Sequence, residues 1–176
     1  MENLKISGPE ADEFDPYYER YVSLVAGGDI ISKLSEQILG TRNLLAEINT
    51  EKADFRYAEG KWSVKELVGH MIDTERIFAY RALRIARGDE TPIEGYEQDD
   101  YIKNAEFAKC SLADLAEEFM LVRKANVLMF RNLSETAWHR RGTANNKEIS
   151  VRALAYISAG HEIYHVNILK ERYLSR

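Results

Sequence analysis

Four stretches of the chain carry apolar residues at intervals of three and four positions, the periodicity of an α-helix with one buried face. The first predicted helix runs from about Asp29, which is placed as its N-cap, to Ile48. The second begins at Ser63, because Ser63 and Glu66 have the spacing of a capping box, and it ends near Arg87.

The other two predicted helices lie in the second half of the chain. One begins near Ser111 and continues to about Leu133 at near-heptad spacing, and the other begins near Ser150 and runs almost to the end. The inward-facing positions predicted for the four helices are Ile31, Leu34, Ile38, Leu45 and Ile48; Leu67, His70, Thr74 and Ile77; Leu112, Leu115, Phe119, Val122, Asn126, Met129 and Leu133; and Val151, Leu154, Ile157, His161, His165 and Ile168.

Four long helices with no alternating strand pattern predict an all-α four-helix bundle. The stretch from Gly88 to Cys110 is too long for a tight connection between antiparallel neighbours. We therefore expect a crossover that leaves the second and third helices parallel, in up-down-down-up order. Residues 1–28 contain Phe14, Tyr17, Tyr18 and Tyr21, and we expect this N-terminal extension to pack on the bundle within a single domain of residues 1–176.

Composition narrows the functional classes. The chain has 176 residues, 45% of them hydrophobic and 30% charged, which suits one globular domain. The net charge is -5 and basic residues are scattered, so nucleic-acid binding is not expected. No apolar run is long enough for a membrane span, and no signal peptide is evident. With a lone cysteine, Cys110, these features favour the cytoplasm and a small-molecule partner.

Two histidines on the fourth helix form the main chemical signal. His161 and His165 are four residues apart, so their imidazoles share one helical face. That face also carries Leu154, Ile157 and Ile168, which places both histidines toward the core. Buried imidazoles need hydrogen-bond partners, and a shared metal ion would satisfy one nitrogen of each. The alternative is a pair of hydrogen-bonded core histidines.

A third histidine, His70, lies in the inward stripe of the second helix. Three imidazoles at one divalent transition metal would leave a coordination position for water or substrate, as in catalytic sites. His139 is interpreted as a surface residue rather than a fourth ligand. Asp73 and Glu75 are candidates to orient a ligand or bind a substrate amine, but we expect them instead to be solvated or paired with Arg76 and Arg81 on the same helix.

The sequence His161-Glu162-Ile163-Tyr164-His165 also has the form of the H-E-x-x-H zinc protease motif, in which the glutamate is the general base. Metzincins need Gly and His where this chain has Ile168 and Glu171, and only 11 residues follow His165 to supply a later ligand. No strand set for an extended peptide is evident either. Glu162 therefore stays a candidate base only, with a supporting or surface role as its alternative.

Several motifs resemble the DinB-like superfamily, which includes bacillithiol S-transferases and mycothiol-dependent isomerases. The motifs are Trp62-Ser63-Val64-Lys65-Glu66-Leu67, Gly69-His70, Asp73-Thr74-Glu75-Arg76, Ala159-Gly160-His161-Glu162, His165 and Glu171-Arg172-Tyr173, and the match covers roughly residues 28–174. The resemblance implies the same up-down-down-up bundle, a zinc or nickel ion on His70, His161 and His165, and a homodimer. The best-understood members of that superfamily transfer a low-molecular-weight thiol to an electrophile, but the resemblance does not assign a substrate to this chain.

The working hypothesis is a metal-dependent enzyme that activates a thiol or water, giving S-transfer or hydrolysis. An anionic thiol would favour basic residues at the mouth of the site, and the candidates are Arg76, Arg81, Arg84 and Arg123. A non-catalytic metal-binding or stress-response bundle is the alternative, and an H-E-x-x-H zinc protease is the third class.

Overall fold

Four long helices dominate the computed structural model, which describes residues 6–175. They are α1 (Ile30–Ala46), α2 (Val64–Ala86), α3 (Leu112–Arg131) and α4 (Val151–Ile168), and a π-helical segment, Leu169–Leu174, extends α4. Each helix begins after a side chain that caps a backbone N–H, namely Asp29, Ser63, Ser111 and Ser150. The capping box of Ser63 and Glu66 is formed. The predicted helices are thus confirmed, with small shifts at their ends.

Two apolar clusters, one toward each end of the bundle, fix the helix directions. One cluster joins the starts of α1 and α4 to the ends of α2 and α3, and its members include Ile30, Leu154, Ile85 and Phe130. The other joins the end of α1 and the segment after α4 to the starts of α2 and α3, through Leu45, Leu169, Leu67 and Leu115. Helices α1 and α4 therefore run one way and α2 and α3 the other. This confirms the predicted up-down-down-up bundle.

The second half of α3 turns a different face inward from the predicted one. Arg123 and Val127 are buried, whereas Val122 and Asn126 are only half-buried. The stripe shifts because the Arg123 guanidinium is held inside the bundle by carboxylates of α2 and α4. Arg123 was one of four candidates for a basic residue at the mouth of the site, and the structure places it inside the bundle instead.

A short hairpin precedes α4 and was not predicted. Strands β1 (Arg141–Ala144) and β2 (Lys147–Ser150) pair antiparallel, and the turn residues Asn145 and Asn146 have φ of 52° and 60°. Two successive positive φ angles are typical of a type I′ hairpin turn. Ile93 of the crossover donates its N–H to Thr143 and accepts from the Asn145 N–H, each at 2.9 Å. The crossover is thereby attached to the hairpin.

The N-terminal segment lies against α4. Its helical turns are Ala11–Glu13, Pro16–Tyr18 and Glu19–Val22, and Phe14 and Tyr21 are buried in the core. A Cβ at Gly160 would collide with the Tyr21 carbonyl oxygen, so glycine permits this close approach. Residues 1–5 of the expected N-terminal extension lie outside the described residues.

The remaining connections are short helices, Thr50–Ala53, Gln98–Asn104, Phe107–Lys109 and Glu135–Trp138. Between residues 6 and 175, no helix has the length and apolar character that crossing a membrane would require.

Candidate metal centre

Three imidazoles meet inside the bundle, and we call them the histidine cluster: His70, His161 and His165. His70 comes from the start of α2 and the other two from the end of α4, and the antiparallel course of these helices brings them together. The ring centroids of His70 lie 5.0 Å from His161 and 4.9 Å from His165. Nε2 of His70 and Nε2 of His161 are 3.1 Å apart.

Aromatic side chains enclose the histidine cluster. The Trp62 ring centroid lies 4.8 Å from that of His70, while Tyr21 and Phe78 lie 5.3 and 5.8 Å from His161. Burial lowers the pKa of His70 to about 4. Burial and the neighbouring His70 lower the pKa of His165 to about 3, and the pKa of His161 is also far below normal, chiefly through burial. The imidazoles are therefore neutral at neutral pH and can each offer a lone pair.

The donor set fits a divalent transition metal. One nitrogen from each ring lies within 4.8 Å of the other two. Two nitrogens bound at about 2.0–2.1 Å to one tetrahedral zinc ion are about 3.3 Å apart, close to the separation of His70 and His161. Nδ1 of His165 is buried with no hydrogen-bond partner among the described atoms, which an internally satisfied core histidine would not show. Neutral imidazoles suit zinc or nickel better than magnesium or calcium.

Polar side chains behind His70 can hold its ring in place. The Thr74 hydroxyl lies 3.4 Å from Nδ1 of His70 and 2.7 Å from the Tyr96 hydroxyl. Tyr96 belongs to the crossover, so this contact links the cluster to a segment that helical periodicity did not assign to the site. Positioning of this kind is common for metal-binding histidines.

A cavity of about 440 Å³ opens onto the histidine cluster. Its walls come from α2, the N-terminal tyrosines, the crossover and the hairpin, and His70 and His161 both line it. Residues of the crossover and hairpin were missed by the sequence analysis because their contribution depends on tertiary contacts. The cavity has the size expected for a small-molecule site.

Comparison with known proteins places this arrangement in a family. Residues 34–169 match the family model of the DinB superfamily. The chain belongs to the DinB superfamily. A solved structure described as "YfiT from Bacillus subtilis", "a probable metal-dependent hydrolase with an unusual four-helix bundle topology", is similar to it. The sequences are 14% identical, the TM-score is 0.68, and the likeness covers 96% of this chain and 93% of that one. No curated protein matches the sequence.

The likeness to YfiT shows a shared fold, and the DinB chain itself supplies the donors for a metal. His70 and His161 line the cavity, and His165 lies beside them. All three expected ligands are therefore within reach of one ion. His139 is exposed on the surface, in a different part of this DinB bundle.

Glu162 faces away from the cavity of the DinB protein and joins a second buried polar group, which we call the arginine cluster: Glu75, Arg123 and Glu162. Arg123 lies 2.7 Å from Glu75 and 2.6 Å from Glu162, and the Thr41 hydroxyl donates to Glu162. Burial raises the pKa of Glu162, and the positive charge of Arg123 opposes that rise. Glu162 does not line the cavity, so the geometry does not favour it as a general base.

The other acidic and basic candidates separate clearly. Glu75 pairs with Arg123, so the expectation that it is solvated or paired with Arg76 or Arg81 is wrong. Burial raises the pKa of the half-buried Asp73. Arg76 binds Glu118 at the surface and Arg84 binds Asp89. Among the proposed basic residues, Arg81 lines the cavity.

Proposed function

We propose that this DinB protein is a metal-dependent enzyme that acts on an electrophilic small molecule, with zinc or nickel held by His70, His161 and His165. The observation that carries the proposal is the meeting of three neutral imidazoles beside a cavity, with Nδ1 of His165 buried and without a hydrogen-bond partner among the described atoms. A bound ion of this type supplies Lewis acidity, which lowers the pKa of a thiol or water and so yields a nucleophile at neutral pH.

The protein's own residues do three things in this scheme. The imidazoles are neutral and need no deprotonation before binding a cation. Thr74 and Tyr96 fix the ring of His70 by hydrogen bonding. Tyr21 and Phe78 cover His161 with apolar ring surface, which keeps water from the buried side of the site.

Thiol S-transfer is the reaction we favour, with a low-molecular-weight thiol as cosubstrate. Its support is the match to a superfamily that includes thiol transferases and a cavity with room for two small reactants. Hydrolysis is the second candidate, because the structurally similar YfiT is described as a probable metal-dependent hydrolase. In both reactions the histidine cluster has the same role and only the nucleophile differs.

Elemental analysis of protein purified without a histidine tag tests the metal. We expect about one zinc or nickel ion per chain, loss of that ion in His165→Ala, and no loss in the exposed control His139→Ala. Equal metal content in both variants would contradict the assignment. If His165→Ala loses both the ion and the fold, the metal is structural and the non-catalytic alternative gains support.

Activity is then measured on the metal-loaded protein. Consumption of 1-chloro-2,4-dinitrobenzene with a panel of low-molecular-weight thiols reports S-transfer, and nitrophenyl esters and amides report hydrolysis. The favoured reaction requires a thiol-dependent rate that falls with His165→Ala and survives His139→Ala. Peptide hydrolysis abolished by Glu162→Gln would instead support the protease class.

We also propose that the protein is a cytoplasmic homodimer. Exposed leucines on α1 and α3, Leu39, Leu121 and Leu128, provide apolar surface that a second copy could cover. Light scattering coupled to size-exclusion chromatography measures the mass, and a monomer at micromolar concentration would count against the dimer.

A further inference from the structure

Arg81 on α2 is a buried cation without a carboxylate partner. Its side chain is 2% exposed, and its Nε is buried with no hydrogen-bond partner among the described atoms. Its Nη2 donates to the carbonyl oxygen of Glu94 at 3.1 Å. No carboxylate within residues 6–175 lies within 4.0 Å of the guanidinium. Burying a charge in this way is unfavourable unless something compensates for it.

The same bundle shows how a buried guanidinium is ordinarily compensated. Arg123 is equally inaccessible, and it is held by two carboxylates, those of Glu75 and Glu162. Arg81 has the Glu94 backbone carbonyl and the nearby Tyr18 hydroxyl, and neither carries a negative charge that would compensate for its own. What separates the two arginines is their position, because Arg81 lines the cavity and Arg123 does not.

The backbone of Arg81 lies about three helical turns beyond that of His70 on α2. It follows His70 by 11 residues on α2, a rise of roughly 16 Å along the helix axis. Thr74 and Phe78 lie between them on the same wall. The anionic part of a ligand at Arg81 and the reacting part at the histidine cluster would therefore be different ends of one molecule.

The other charged residues that line the cavity are either paired with one another or exposed, whereas Arg81 is buried and has no counter-charge within residues 6–175. Asp15 and Lys147 form a pair with 3.4 Å between their charged atoms, and Glu97 is exposed on the rim. Tyr18 and Tyr96 also line this part of the cavity. Burial raises the pKa of both tyrosines, so their hydroxyls remain protonated and can donate hydrogen bonds.

We propose that Arg81 binds the oxyanion, a carboxylate or phosphate group, of a small-molecule ligand whose other end lies at the histidine cluster. Guanidinium groups bind such oxyanions strongly, and the Arg81 guanidinium lies in the cavity wall with no carboxylate partner within residues 6–175. The aromatic walls at Tyr18 and Phe78 suit an apolar or planar body between the two ends. The placement of the reacting end depends on the function proposed above, but the oxyanion site at Arg81 does not.

The test compares matched anionic and neutral ligands. Dissociation constants for phenylacetate, phenyl phosphate and phenylacetamide are measured by NMR titration on the wild type, Arg81→Met, Arg81→Lys and His165→Ala, with metal content determined for each protein. We expect the wild type to bind an anion more tightly than the amide. Arg81→Met should lose that preference by about tenfold or more, because a charge-assisted hydrogen bond is lost.

The acid-to-amide ratio is the decisive readout, because partial unfolding weakens both ligands equally. Arg81→Lys should retain part of the preference, and the two anions show whether carboxylate or phosphate is favoured. An unchanged preference in Arg81→Met, equal weakening of acid and amide, or no preference in the wild type would overturn the proposal. A preference that disappears in His165→Ala but survives in Arg81→Met would also overturn it, by assigning the anion to the metal. Protein without metal but with an Arg81-dependent preference would refute only the metal-dependent function.

Discussion

The histidine cluster and the arginine cluster lie on two sides of α4, and they differ in how their polar atoms are satisfied. In the arginine cluster, Arg123 is bound by Glu75 and Glu162, and Gln37 and Asn126 add hydrogen bonds. Oε2 of Glu162 has no hydrogen bond among the described atoms, but it lies 2.6 Å from the positively charged Arg123 guanidinium. In the histidine cluster, a ring nitrogen of His165 has no partner among the described atoms. A buried polar cluster whose charges compensate one another contributes to the fold, whereas a cluster with an unpartnered atom is suited to binding an external ligand.

The largest effect is expected from breaking the arginine cluster. Arg123→Met leaves two buried carboxylates uncompensated, which should lower the free energy of unfolding by about 3–5 kcal/mol. Urea denaturation measures it. In the matched control, Arg123→Met combined with Glu75→Gln and Glu162→Gln, much of that loss should be recovered. A loss below about 1 kcal/mol for the single variant would show that the cluster is not closed as described.

The N-terminal segment covers the histidine cluster, and its close approach to α4 depends on Gly160. Gly160→Ala places a methyl group against the Tyr21 backbone, and we expect a loss of about 3 kcal/mol, at the upper end of the range for overpacking. At the control position, Gly69→Ala, the new methyl meets the movable ring of Phe107 instead. Thermal unfolding should rank Gly160→Ala as the less stable variant, and the reverse order would contradict the close approach.

The ion pair of Glu13 and Arg152 is a third buried charged group. Its contribution to the free energy of unfolding can be tested by varying the pH. Burial raises the pKa of Glu13, but hydrogen bonds from Arg152 and Ser150 outweigh it and lower the pKa to about 2. A depressed carboxyl pKa stabilises the fold above the unfolded value of 4.5, and this contribution, roughly 2 kcal/mol, is lost as pH falls from there toward 2. Glu13→Gln should flatten that part of the stability profile, measured by urea denaturation from pH 2 to 7. An unchanged slope would rule out this contribution.

The smallest effect is expected from closing the histidine cluster with an apolar side chain. His165→Leu removes a buried imidazole with an unsatisfied nitrogen, so stability in the presence of a chelator should change by less than about 1 kcal/mol. Metal content should fall all the same. A stability loss as large as that of Arg123→Met would erase the distinction between the two clusters.

The sequence predicted the helices well because capping residues and apolar spacing act locally. Ser63 with Glu66 marked the start of α2, and the four-residue spacing of His161 and His165 placed both rings on one inward face. The same rules could not predict Arg123, because a charged residue at the edge of an apolar stripe is normally solvated. Its burial requires Glu75 and Glu162, which come from helices far apart in the chain.

The cavity was harder to predict for the same reason. Its wall includes the crossover and the hairpin, which are attached through Ile93, Thr143 and Asn145. Strands of four residues are too short to show clear alternation. Arg81 was among the basic candidates, but nothing in its local sequence distinguishes it from Arg76, five residues before it, or Arg84, three residues after it.

His161 and Glu162 are adjacent in the sequence, but their side chains contact different residues. A helix turns by about 100° per residue, so adjacent side chains on α4 project into separate compartments, one lined by aromatic rings and one by a guanidinium. A search that takes H-E-x-x-H as evidence of proteolysis assumes that the glutamate is accessible to substrate. That assumption fails when a neighbouring element packs against the glutamate and buries it. In bundles of this topology, the helix that packs against the glutamate face determines whether the motif can have that function.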